Sequence, residues 1–281
     1  MNEVLRPVAP PAMHMLVPAE LPLFSVPARH NPRLQALAER INADEELRQL
    51  WRSANVNAVE RLGLGDCGEV HARIVANAAL KLLRLLRDAG HIPAVMSHHR
   101  LTPDEAEVIV VLAAAVHDLG LAVHTEPGVA ARAGLVLADR KLQELLAGIY
   151  PARERAVVSA EALHAVAAQE PGVACLTLEA GVVRLADALD LTKGRARLSL
   201  EGGRQAGAAN WAPVVNEVTI QRAKTPPVRV LLRLSSADGL PAVEAKLARA
   251  ALAGLVEVVA RLEDGQGGSP QAVCVWDGDD Q

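Results

Sequence analysis

Apolar positions recur at three- and four-residue steps over residues 32–51, through Leu34, Leu37, Ala38, Ile41, Leu47, Leu50 and Trp51. An α-helix turns once per about 3.6 residues, so this spacing lays them on one helical face. The pattern continues over residues 55–64 until Gly63, Gly65 and Gly68 break it. A second helix is expected from Glu69 to about residue 89, with Asp66 ahead of Glu69 as in a capping box and Gly90 as its stop. Residues 91–101 read as a loop. Thr102, Pro103 and Glu105 then open another helix. Its residues 109–116 are apolar on every side, which predicts burial all round. Gly120 ends it, and His124 and Glu126 fall in a loop closed by Pro127-Gly128. Three more helices are expected over 130–149, 151–169 and 175–192, with Pro171-Gly172 between the last two and Gly194 as a stop.

The pattern then changes. Residues 195–201, 214–222 and 228–235 alternate or are β-branched, as strands are. Residues 240–252 read as a short helix, and 255–262 and 272–276 as further strands, with turns at Gly202-Gly203 and 235–239. At the other end, Pro7, Pro10, Pro11, Pro18, Pro22 and Pro27 block helix. The expected organisation is mainly α: an extended proline-rich arm over 1–31, a helical bundle over 32–195, and a smaller α+β domain over 196–281.

Composition narrows the function classes. A net charge of −4 and a pI near 6.1 give no global attraction to a nucleic-acid backbone. Phe24, Trp51, Tyr150, Trp211 and Trp276 are too few for a single-strand stacking platform. Cys67, Cys175 and Cys274 show no CxxC spacing and read as reduced thiols of a cytoplasmic protein. No window approaches the roughly 18 uncharged apolar residues of a membrane span, and the start of the chain has no basic n-region. Walker A, GxGxxG and GxSxG patterns are absent from the sequence.

The candidate chemistry centres on Val116-His117-Asp118-Leu119-Gly120. Adjacent helix residues point about 100° apart, yet a histidine and an aspartate at a helix end can share an ion lying close to the surface. His71 upstream and Asp187 downstream, both on expected helices, would complete a quartet. Mixed imidazole and carboxylate donors suit Mn, Fe, Zn, Ni or Mg. Taken singly, each has a plainer role, as a hydrogen-bonded core histidine or a solvated helix-end carboxylate. Cations follow Asp187 closely: Lys193, Arg195 and Arg197, with Arg184 one turn before it, are candidates to hold a phosphate. Lys193 would equally complement a helix C-terminus. Asp190, three residues after Asp187, is placed to orient Arg195 or a ligand histidine. His98-His99-Arg100 reads as solvated surface able to face anions.

The order His71, His117-Asp118, Asp187, with the flanks TLEAGVVRLADALDLTKGRAR (177–197) and EALHAVAAQ (161–169), resembles the HD superfamily of metal-dependent phosphohydrolases. The resemblance covers roughly residues 45–200. It implies a helical core, one or two divalent ions on the quartet, and hydrolysis of a small phosphate ester, a nucleotide above all, by metal-activated water. In relatives that hold two ions, further histidines contribute. His124 and His164 are therefore expected to bind a second ion, hold water or protonate the leaving group, beside Asp118. The chain departs from the family where HDxGK would place lysine, at Leu121, and where histidines are common, at Cys67 and Gln169. Those departures count against a full dinuclear site and leave the quartet intact. They also motivate the alternative, a non-catalytic metal- or nucleotide-binding module that acts through its C-terminal domain in sensing or homo-oligomerisation.

Overall fold

A computed structural model describes residues 24–191, 215–247, 250, 252–263 and 271–276. Most of the proline-rich arm, the strand expected at 195–201 and the boundary expected at 195/196 lie outside these residues.

The protein is mainly α, a helical bundle followed by a small mixed sheet. Eight helices come first: α1 (Pro32–Ala43), α2 (Glu45–Asn55), α3 (Glu69–Asp88), α4 (Ala94–His99), α5 (Pro103–Val116), α6 (Pro127–Leu146), α7 (Ala152–Ala167) and α8 (Leu178–Ala188). Then follow β1 (Val215–Arg222), β2 (Val228–Leu234), α9 (Leu240–Leu247), β3 (Val256–Leu262) and β4 (Gln271–Trp276). Helix α5 is the axis. Every residue from Glu105 to Val116 is buried, and α1, α3, α7 and α8 pack around it. Its start carries the capping box of Thr102 and Glu105 with Pro103 in the first turn. No helix among the described residues is long and apolar enough to cross a membrane.

Four local expectations are corrected. The helix expected over 32–51 is two, because Asp44 leaves the helical path and its carboxylate accepts the N–H of Leu47, starting α2. The continuation over 55–64 is a π-helical turn, Val56–Arg61. Residues 91–101 contain α4, whose first N–H groups, on Ala94 and Val95, are each held at 3.0 Å by the buried carboxylate of Glu179 on α8. Pro127-Gly128 opens α6 instead of closing a loop, since the Glu126 side chain accepts from Gly128 and Val129.

The sheet runs in the order β1-β2-β3-β4, with β1 and β4 antiparallel to their neighbours and β2 parallel to β3. Parallel neighbours need a crossover, and α9 supplies it. Val228, Val230, Leu232 and Leu234 of β2 turn one face inward, the alternation a half-buried strand requires. The sheet does not stand apart from the bundle. β1 and β2 touch α3, Arg222 pairs with Asp88 at 2.7 Å, and α9 meets α8.

Candidate metal centre

Helix α5 ends at Val116 and leaves orphan carbonyls, as every helix end does. Trp51 Nε1 donates to the carbonyl of Ala115 at 2.9 Å, and His117 Nδ1 donates to that of Ala114 at 2.9 Å. A carbonyl can only accept, so His117 carries its proton on Nδ1 and presents the Nε2 lone pair. The next residue, Asp118, sits at φ −97° and ψ 6°, in the bridge region where the chain leaves the helix. Leaving the helical path removes the angular separation that would otherwise part the two side chains.

His71 lies in the first turns of α3 with a side chain 0% exposed. Its Nδ1 is 2.6 Å from Asp190 Oδ2, and its backbone N–H donates to Asp66 Oδ2 at 3.0 Å. The expected capping box does not form at this helix start. Gly68 is the N-cap, and Asp66 reaches past it to bond Gly68, His71 and Asn55. The Asp190 carboxylate fixes the proton of His71 on Nδ1, so this ring also presents Nε2.

The two Nε2 atoms face each other at 3.2 Å. Asp118 Oδ2 lies 3.4 Å from His71 Nε2 and 3.5 Å from His117 Nε2. Asp187 Oδ1, from the end of α8, lies 3.2 Å and 3.9 Å from the same two nitrogens. Lone pairs turned toward one another with carboxylates beside them are satisfied by a cation. A divalent ion at about 2.0–2.2 Å from each donor separates cis ligands by about 3 Å, close to the spacing here. His71, His117 and Asp118 therefore form a group that could hold a metal ion, their donor atoms all within 4.8 Å of one another. The histidines make a buried floor, while Asp118 and Asp187 are 25% and 30% exposed and open the site to solvent.

The other sequence candidates have different partners. His124 is exposed, and its Nδ1 accepts the Glu126 N–H at 2.9 Å. His164 Nε2 accepts the Leu176 N–H at 3.0 Å, pinning the loop between α7 and α8. Neither belongs to the His71 group among the described residues. Arg184 donates from Nη2 to the carbonyls of Ala168 and Val173 on that same loop. Lys193, Arg195 and Arg197 lie outside the described residues. His98 and His99 end α4, with His99 paired to Glu161 at 3.0 Å. At the departures from the family pattern, Gln169 bonds the Ala165 carbonyl and the Leu121 carbonyl accepts from Asn57. Burial pushes the Cys175 thiol up, against the pull of Arg184, away from a reactive thiolate.

Two residues escaped the sequence reading. The Ala114 carbonyl orients His117, which any residue there could do. Lys246 of α9 places its ammonium 3.3 Å from the Asp187 carbonyl, and no local pattern announces it.

No family model and no solved structure matches the chain. An uncharacterized protein of Methanocaldococcus jannaschii, MJ1020, is 30% identical over 224 residues, which span 78% of this chain and 86% of the relative.

Proposed function

The chain belongs to the family of the archaeal protein MJ1020, and we propose that it is a divalent-metal-dependent phosphohydrolase acting on a small phosphate ester. The observation that carries this reading is the meeting of three distant segments: His71, His117 and Asp118 form one group, and Asp187 Oδ1 lies 3.2 and 3.9 Å from the two histidine Nε2 atoms. Their order along the chain is the one that resembles the HD phosphohydrolases. When bound, a divalent ion supplies an acidified water and offsets charge on the phosphoryl oxygens.

The chain's own residues divide the remaining work. His71 and His117 are the rigid floor, each held in one tautomer by Asp190 and by the Ala114 carbonyl. Asp118 and Asp187 complete the ligand set at the solvent side. Asp118, partly exposed, would also accept a proton from the attacking water. His124 remains the candidate to protonate the leaving group: its Nδ1 accepts a backbone N–H, which leaves the proton of the neutral ring on Nε2. His164 spends Nε2 on the Leu176 N–H, which favours a structural role. Gln169 and Cys67, at positions where histidines are common in the resembling subgroup, favour one ion over two.

The test is elemental analysis of the purified chain, followed by turnover of a chromogenic phosphate ester with Mn. About one equivalent of divalent ion and turnover that a chelator abolishes are expected. His117→Ala should cost more than the about 10–100-fold that loss of an outer partner costs. A metal-loaded chain that binds a nucleotide tightly and hydrolyses no ester would replace this reading with the non-catalytic one.

A further inference from the structure

One wall of the metal centre is shared with a cavity of about 580 Å³, within the range of small-molecule sites. Its lining includes the ligand Asp187, the loop between α7 and α8, Arg184 of α8, and Lys246 with Ala245 of α9. We propose that Lys246 and Arg184 together hold the phosphate group of the substrate in this cavity, so that the C-terminal portion of the chain completes the site. The proposal rests on the phosphohydrolase reading and names the side chains that would place the ester beside the ion.

Both cations are held in place. Arg184 donates from Nη2 to two loop carbonyls, those of Ala168 and Val173, which sets the plane of its guanidinium. Lys246 donates to the Asp187 carbonyl at the end of α8 at 3.3 Å, which holds its ammonium at the cavity wall. Helix α9 is fixed in turn: Val243 and Leu247 are buried, and Leu252 just beyond it packs on α8 at Gly181. A Cβ there would lie 2.6 Å from Leu252 Cδ2. Among the described residues, the charged groups lining the cavity are two cations against Glu170 and Asp187. With Asp187 offset by the ion, one positive charge is left over, which favours an anion, and a phosphate would be met by one cation from the bundle and one from the C-terminal portion. Apart from Gln169, the rest of the lining is small or aliphatic, so this wall selects for the phosphate more than for what it esterifies.

The experiment titrates inorganic phosphate into the metal-loaded full-length chain by calorimetry, for the wild type, Lys246→Gln and Lys246→Arg. Glutamine keeps a donor for the Asp187 carbonyl and loses only the charge. Lys246→Gln should weaken phosphate binding about tenfold or more, the cost of one charge-assisted bond, with metal content and Tm unchanged. Lys246→Arg should recover most of it. With a chromogenic ester, the loss should fall on KM more than on kcat. Wild-type phosphate affinity in Lys246→Gln, or a loss of metal in that variant, would overturn the proposal. Phosphate bound through Lys246 by a loaded chain that turns over no ester would uphold this site and sink the hydrolase.

Discussion

Asp190 sets how His71 would meet an ion. Its carboxylate is 2% exposed and lies 2.6 Å from His71 Nδ1, so it sets the tautomer and makes the ligating nitrogen a better donor. Asp190→Asn keeps the shape and an acceptor oxygen but removes the charge. Metal affinity should fall about 10- to 100-fold with the fold intact, measured by competition against a chromogenic chelator. Unchanged affinity would reduce Asp190 to packing. The sequence put Asp190 three positions beyond Asp187 on the same face of an expected helix, but α8 ends at Ala188 and Asp190 lies past its end. The sequence did not show that the partner is His71, 119 residues away, because helical spacing speaks only of neighbours on one element. The meeting of His71 with His117 and Asp118 was legible for a different reason: such residue types are costly to bury without a task, and their order resembles a known family. His124 and His164 were singled out because relatives with two ions use further histidines, and that resemblance does not reveal that a backbone N–H has already claimed one ring nitrogen of each.

Helix ends and turns decide whether the ligands converge. The turn Leu119–Ala122 that follows Asp118 lies directly on α6, with no room for a side chain at Gly120. A Cβ there would be 1.9 Å from the Ala130 oxygen and 2.9 Å from the Gly134 nitrogen. Both are backbone atoms and cannot swing aside. Gly120→Ala must push α6 away, at a cost of about 1–3 kcal/mol or more, and should lower metal affinity because Asp118 moves with the turn. Gly90→Ala is the control: nothing lies within 4 Å of its Cβ, but φ is 97°. Its cost should be about 1–2 kcal/mol with metal affinity unchanged. Thermal melts with and without chelator separate the two. In the sequence Gly120 read as a helix stop; its true constraint comes from α6 and is not local. The start of α5 was fully legible because Thr102, Pro103 and Glu105 act within one turn. Helix α4 was not, because Glu179 satisfies its first N–H groups from 85 and 84 residues away. The break at Asp44 was there to be read: Glu45 and Glu46 follow it as an acidic first turn.

At the scale of the molecule, periodicity separated the helical part from the sheet, and said nothing of how Arg222 meets Asp88 or Lys246 meets Asp187. Long-range pairs of this kind also hold the bundle around α5. Glu105 and Glu107 are buried there at 1% and 4% exposure. Glu105 bonds Thr102 and pairs with Arg33 of α1, while Glu107 takes two bonds of 2.8 Å from Arg84 of α3 and one from Asn31. Burial works to raise both carboxyls, but these hydrogen bonds and charges prevail and hold them below the ordinary value of 4.5. A carboxyl whose folded pKa lies below its unfolded one adds stability above the unfolded pKa. That contribution is lost as pH falls through the folded one. The bundle should therefore weaken steeply below about pH 4.5 as α1 and α3 lose their ties to α5. Glu105→Gln with Glu107→Gln should cost about 3–5 kcal/mol at neutral pH, since each substitution leaves a cation facing an uncharged partner. As pH falls through the folded pKa of these carboxyls, the wild type protonates the same groups, so the gap between the two proteins should narrow. Urea unfolding of both at pH 7 and at the lowest pH where both stay folded measures it. A gap equal at the two pH values would mean that shape, and not charge, ties these helices together.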